Sequence, residues 1–173
     1  FQAWQIAKKL GVDWLARSIL FTHRVAQHRD GDLRERVEKL ADQLLELELQ
    51  NPASEVILVG HSSGSFILAM LAAQLHREPN ASFLLPRLKL LTLGQNLANV
   101  ALYPGATLFR DDLQELATEP RIPWRDITSY QDYLCFAGVN PYTSCGLPLP
   151  TGDTYPKMEL IDLGKDRGIK RRR

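Results

Sequence analysis

A chain of 173 residues with 45% hydrophobic and 24% charged side chains can bury a sizeable core and reads as one globular domain. Its longest apolar run, Phe66 to Ala73, is eight residues, far short of the ~20 that a membrane-spanning helix needs. The net charge of +1 is uneven: Lys165 to Arg173 carries +5, leaving −4 on the other 164 residues.

The basic end, Lys170-Arg171-Arg172-Arg173, has the charge of a nucleic-acid or lipid-surface patch. Without aromatic residues to stack on bases it reads better as a frayed, solvated tail over 164–173, and no nucleic-acid partner is expected. Phe1-Gln2-Ala3-Trp4 lacks the basic region and apolar block of a secretory signal, so a cytoplasmic location is expected. An opening Phe1 rather than methionine points to a chain that begins partway through a longer one. Cys135 and Cys145 form no CxxC or CxxH pattern, which argues against a metal site. Two buried thiols are the default reading, with a disulfide between them the other.

Residues 1–10 and 13–28 have helical composition, with Asp13 placed to cap the second segment. Between Asp32 and Glu48, Leu33, Val37, Leu40, Leu44 and Leu47 recur at helical spacing and predict one apolar stripe. Asn51-Pro52 ends it. Glu55 to Val59 is a short continuous apolar run, as expected of a strand buried on both faces of a parallel sheet. Ser63 to His76 predicts a helix, and Leu88 to Leu93 a second buried strand closed by Gly94. Residues 95–122 look irregular, with one short helix that Asp111 caps. Trp124 to Thr128 is a weaker third strand, and the Pro and Gly beyond Asn140 predict loop. Strands and helices taking turns imply βαβ units: an α/β fold with a mostly parallel sheet flanked by helices.

The chemistry gathers where the first strand ends. Gly60-His61-Ser62-Ser63-Gly64 is a G-x-S-x-G sequence lying between a strand and a helix, the context of a nucleophile elbow. Such a turn strains the serine backbone and lifts its hydroxyl clear of the sheet. Side chains two residues before and after would collide, which accounts for Gly60 and Gly64. The Ser63 N–H, at the start of the following helix, is then a donor for an oxyanion. A phosphate-binding βα turn is the competing reading. It calls for a longer, more Gly-rich loop, and no Lys follows Gly64 as a Walker sequence requires.

A serine needs an acid and a base. Asp126 and Asp132 are the candidate acids: Asp126 sits within the third strand, and Asp132 beyond it in the loop where a triad acid belongs. Asp132 is favoured. His23, His28, His61 and His76 all precede it. His61 is expected to point away from the Ser62 hydroxyl and line the pocket, and none of the four is assigned as base.

Val56 to Ser65, Leu88 to Gln95 and Trp124 to Asp132 together resemble a bacterial group of α/β-hydrolase (lipase-like) proteins, over about residues 1–150. The resemblance implies a serine hydrolase acting on a small-molecule or lipid ester or thioester, with Ser62 as nucleophile, Asp132 as acid and no metal or organic cofactor. It also implies that the catalytic histidine lies beyond this chain. The early strand that supplies a second oxyanion donor and the C-terminal strand are both expected to be missing. On this reading 1–163 is a partial α/β-hydrolase domain: helical over 1–50, strand-elbow-helix-strand over 55–94, an acid-bearing strand and loop over 123–150. Residues 95–122 between them are either a lid over an acyl pocket or ordinary core. A non-catalytic scaffold of the same fold, used for binding, is the alternative that the absent histidine supports.

Overall fold

The computed structural model describes residues 12–118, 122–149 and 155–162. The expected helix over 1–10 and the basic tail over 164–173 lie outside them. In chain order the elements are α1 (Val12–Ala26), α2 (Leu33–Gln50), β1 (Val56–His61), α3 (Gly64–Arg77), β2 (Leu88–Leu93), α4 (Leu97–Ala101), α5 (Thr107–Thr118), β3 (Trp124–Ser129), α6 (Pro141–Ser144) and β4 (Lys157–Ile161). The strands form one parallel sheet in the order β1-β2-β3-β4. The chain therefore has the α/β architecture that the alternation of elements implies.

In a parallel pair, residues that sit opposite one another share a face, and successive residues alternate. Leu58, Leu90 and Trp124 are opposite each other, and so are Gly60, Thr92 and Asp126. This face is the buried one, and α3 packs on it between α2 and α5. α3 is buried almost all round, with Ala69, Ala72 and Ala73 fully enclosed. Small side chains there let neighbouring backbones approach closely. Phe66 of α3 meets Phe109 of α5 edge to face at 6.0 Å. At the far end of α3, the buried Asp112 receives Arg77 at 2.8 Å and Arg34 at 3.0 Å, which ties α5 to α3 and α2.

The opposite face, carrying Ile57, Val59, Leu91 and Ile127, has no helical layer among the described residues. Ile57 and Val59 are 53% and 59% exposed, so β1 is not buried on both faces as its continuous apolar run implied. An apolar run fits a two-sided environment, but burial needs a second layer to supply it. β1 is also an edge strand of the described sheet.

Other expectations are corrected by tertiary packing. Asp13 lies in the first turn of α1 and pairs with Arg17 at 3.1 Å instead of capping. In α2 the buried positions are Val37, Ala41, Leu45 and Glu48, while Leu40 and Leu47 are 42% and 63% exposed. The buried stripe is rotated by about one residue, toward the side on which α3 packs. Residues 95–122 hold two helices, and Asp111 sits inside α5 without capping it. Beyond Asn140 the chain forms α6 and the strand β4, so the expected all-loop end is overturned. Pairing with β3 organises β4, a long-range effect that local Pro and Gly content does not report. Among the described residues, no helix is long and apolar enough to cross a membrane.

Asp126 is a core group. It is fully buried on the helix-covered face, accepting hydrogen bonds from Thr92 Oγ1 and Thr128 Oγ1, both at 2.7 Å. Burial raises its pKa, and those two hydroxyls offset only part of the rise. An acid with a raised folded-state pKa holds its proton more tightly when folded. Its contribution is present below the unfolded value of about 4 and is lost as pH rises through the folded value. The melting temperature of Asp126→Asn should therefore gain on the parent's as pH is raised from ~4 toward neutrality. Parallel melting curves across that range would show Asp126 to be ionised at no cost.

Candidate active site

β1 ends in a turn so tight that Ser62 adopts φ +51°, a left-handed backbone rarely taken by a residue with a side chain. The turn is pinned from both sides. The Ser62 N–H donates to Leu93 O of β2 at 3.1 Å, and Ser62 O accepts from the Ser65 N–H at 3.0 Å and Ser65 Oγ at 2.6 Å. Ser62 is half-buried, with its hydroxyl at the carboxyl end of the sheet, where open α/β sheets bind ligands.

The two flanking glycines have different reasons. A Cβ at Gly60 would lie 2.7 Å from Gly64 O and 3.0 Å from Leu68 Cβ, so only glycine lets β1 and α3 cross this closely. A Cβ at Gly64 would meet nothing within 4 Å. The expected collision thus exists at Gly60 alone; the close approach is between the Gly60 Cα and the Gly64 backbone.

Ser63 is the residue before α3, and among the described residues its N–H takes no hydrogen-bond partner. A free N–H beside a serine hydroxyl, at the positive end of a 14-residue helix, has the geometry to hold an anionic oxygen. Ser63 Oγ lies 3.5 Å from Ser18 Oγ of α1.

Asp132 follows β3 in the loop. Its Oδ1 accepts from the Leu134 N–H at 3.1 Å, and its own N–H donates to Ser129 O at 3.0 Å. The other oxygen, Oδ2, would lie 3.1 Å from a Cβ at residue 94, and Gly94 has φ +59°, so space and backbone both call for glycine there. Asp132, His61, Ser62, Ser63 and Gly64 line one cleft of about 420 Å³. Asp126 is enclosed in the core and lines neither cleft at Ser62.

A second, larger cleft of about 570 Å³ also opens on Ser62, walled by Trp14, Leu15 and Ile19 of α1, with Asn96, Tyr103 and Phe136 opposite. The helix over the serine is α1. Trp14 and Ser18 line both clefts, and Trp14 is 60% exposed. In the 95–122 segment Leu97, Val100 and Phe109 are fully buried and belong to the core, Leu102 is exposed, and Asn96, Asn99 and Tyr103 line the larger cleft.

Among the described residues no histidine is hydrogen-bonded to Ser62 or Asp132, although His23 lines the larger cleft. His23, His28 and His76 hydrogen-bond to Tyr103, Thr107 and Glu115 at 3.0, 3.2 and 2.6 Å. The exposed His61 lines the smaller cleft. The Ser62 hydroxyl is met instead by Asn96, whose Nδ2 donates to Oγ at 3.2 Å. Asn96 was not among the expected residues. A polar pair, Gln95-Asn96, directly after a strand-closing glycine is the signal that marks it, since that position faces the sheet's carboxyl end.

The two thiols are both free and half-buried. Burial pushes the Cys135 pKa up to about 11, and the nearby Asp132 carboxylate adds to the rise. Cys135 is thus a thiol at neutral pH and no rival nucleophile.

The crossing at Gly60 gives a direct contrast. Gly60→Ala should cost about 1–3 kcal/mol by forcing β1 and α3 apart, whereas Gly64→Ala should stay within ~1 kcal/mol of the parent. Chemical denaturation of both variants measures the difference, and equal midpoints would remove Gly60 from the account of the turn.

No family model, curated protein or solved structure matches this chain.

Proposed function

We propose that this chain is a serine acyl hydrolase of the α/β-hydrolase type, cleaving a carboxylic ester or thioester of a small molecule or lipid. The observation that carries the reading is Ser62 at φ +51° between a parallel strand and a helix, with its hydroxyl facing two clefts. Backbone strain of this kind costs of order 1–3 kcal/mol and persists where geometry serves a site.

Ser62 Oγ attacks the carbonyl carbon as its proton passes to an imidazole. The carbonyl π pair moves onto oxygen, and the Ser63 N–H holds that oxyanion. Collapse re-forms the carbonyl and expels the alkoxide or thiolate, which takes the proton from the imidazolium. Water then repeats the sequence on the acyl-serine and releases the acid. Asp132, a carboxylate in the same cleft, orients the imidazole and stabilises it when charged. The steps draw on no metal or organic cofactor.

The imidazole is the group that this reading requires, and no histidine hydrogen-bonds the Ser62 hydroxyl among the described residues, although His23 and His61 line the clefts that open on it. That observation favours a second reading, a binding scaffold with the same turn and no catalysis. A fluorophosphonate probe, with the adduct mapped by peptide mass, separates the two. On the hydrolase reading Ser62 is labelled, Ser62→Ala is not, and added free imidazole speeds the labelling. A Ser62 that stays unlabelled with and without imidazole leaves the scaffold.

A further inference from the structure

We propose that Asn96 is a catalytic residue of this site, one that holds the Ser62 hydroxyl at rest and then gives the second hydrogen bond to the oxyanion. The inference rests on the serine-hydrolase reading and adds a residue that the elbow sequence does not announce.

Four observations lead to it. The carboxamide touches the reacting atom: Asn96 Nδ2 lies 3.2 Å from Ser62 Oγ. It is fixed to the same turn from behind, because the Asn96 N–H donates to Ser65 Oγ at 3.1 Å and that hydroxyl donates to Ser62 O at 2.6 Å. Its neighbour is clamped as well. The fully buried Gln95 donates through Nε2 to Val139 O at 2.9 Å and accepts the Leu97 N–H at 2.8 Å. Finally, Asn96 is only 7% exposed and its Oδ1 has no partner among the described residues.

A buried polar atom left unpaired costs about 1–3 kcal/mol. An asparagine kept only to tie the loop to the turn would do so through its backbone N–H, which already makes that bond. The side chain adds a donor aimed at the serine oxygen and leaves a buried acceptor unpaired. Such a group persists where it serves a ligand.

The chemistry gives the donor a reason. At rest the Asn96 N–H meets a neutral hydroxyl. Once Oγ bonds to the carbonyl carbon, it becomes a poorer acceptor, and negative charge develops on the oxygen attached to that same carbon. A hydrogen bond to the charged oxygen is roughly twice as strong as one to a neutral partner. The interaction therefore strengthens as the transition state forms, which is the condition for lowering a barrier rather than merely binding. With the Ser63 N–H it makes a two-donor oxyanion site. The Ser63 N–H sits at the start of α3 and the Asn96 backbone is tied to Ser65 Oγ, so the rearrangement needed is a shift of the carboxamide from Oγ to its neighbour.

The test uses the full chain with free imidazole present, comparing Asn96→Ala with the parent. Fluorophosphonate reacts with serine through a phosphoryl oxygen that gains charge as the carbonyl oxygen would. The second-order labelling rate at Ser62 should fall ~100-fold or more, the loss typical of removing one oxyanion donor. Protection by phenylboronic acid, which forms a tetrahedral adduct on the serine oxygen, should weaken in parallel. A purely structural role would lower the melting temperature while leaving the rate and the boronate protection of the folded fraction within about threefold, and that result overturns the proposal. Should Asn96→Ala fail to fold, Asn96→Leu keeps the volume, removes the donor and carries the same comparison. An unlabelled parent chain would instead sink the hydrolase reading itself, so the two failures are distinct.

Discussion

The site depends on one steric constraint, the crossing of β1 and α3 at Gly60. With no side chain there, the Gly64 backbone can sit where a Cβ would be only 2.7 Å from its carbonyl oxygen. The chain can then reverse within a single residue, and Ser62 is the residue that absorbs the reversal at φ +51°. The local geometry at Ser62 follows from that reversal. It aims the hydroxyl out of the sheet, frees the Ser63 N–H before α3 begins, and brings Ser62 O within reach of Ser65. The strain is offset by the burial of α3, which is enclosed by the sheet, α2 and α5.

Around this turn the sheet works as a ruler. Ser62, Asn96 and Asp132 come from the ends of three neighbouring strands, and the in-register parallel pairing sets their spacing. Asn96 is adjacent to the serine because β2 is next to β1, and Asp132 stands one strand further on. Gly94 lets that third side chain approach, since a Cβ there would press on Asp132 Oδ2. The same register puts Asp126 on the helix-covered face, where burial raises its pKa and two threonines hold it. Two carboxyls six residues apart thus differ in exposure, one at the cleft and one in the core, though both lie close enough to Cys135 to raise its pKa.

The sheet is clothed unevenly. Helices cover the face bearing Leu58, Leu90 and Trp124, while Ile57 and Val59 stand on an open face and β1 has one paired edge among the described residues. The apolar residues of β1 are suited to a second layer, and so the strand's composition carries more information than its surroundings in the structure use. Above the carboxyl end, α1 spans both clefts with Trp14 and Ser18 and bounds access to Ser62. α1 is held through Val25 and Ala26 near its C-terminal end, and Trp14 is well exposed.

By itself the sequence determined the element types around the elbow, the parallel α/β arrangement and the identity of Ser62 as the residue in the turn. Those features are written in short-range patterns: an apolar run of strand length, a helical period, and glycines at fixed offsets from a serine. Packing between distant segments set which stripe of α2 is buried, that 157–161 pairs as a strand, that Leu97, Val100 and Phe109 join the core, and that Asp126 is enclosed. It alone brought Asn96 to Ser62 Oγ, across 34 positions of sequence. The physical reason is common to all of these. Burial, strand pairing and side-chain contact are set by what packs opposite, and a residue's neighbours in the chain do not specify its neighbours in space.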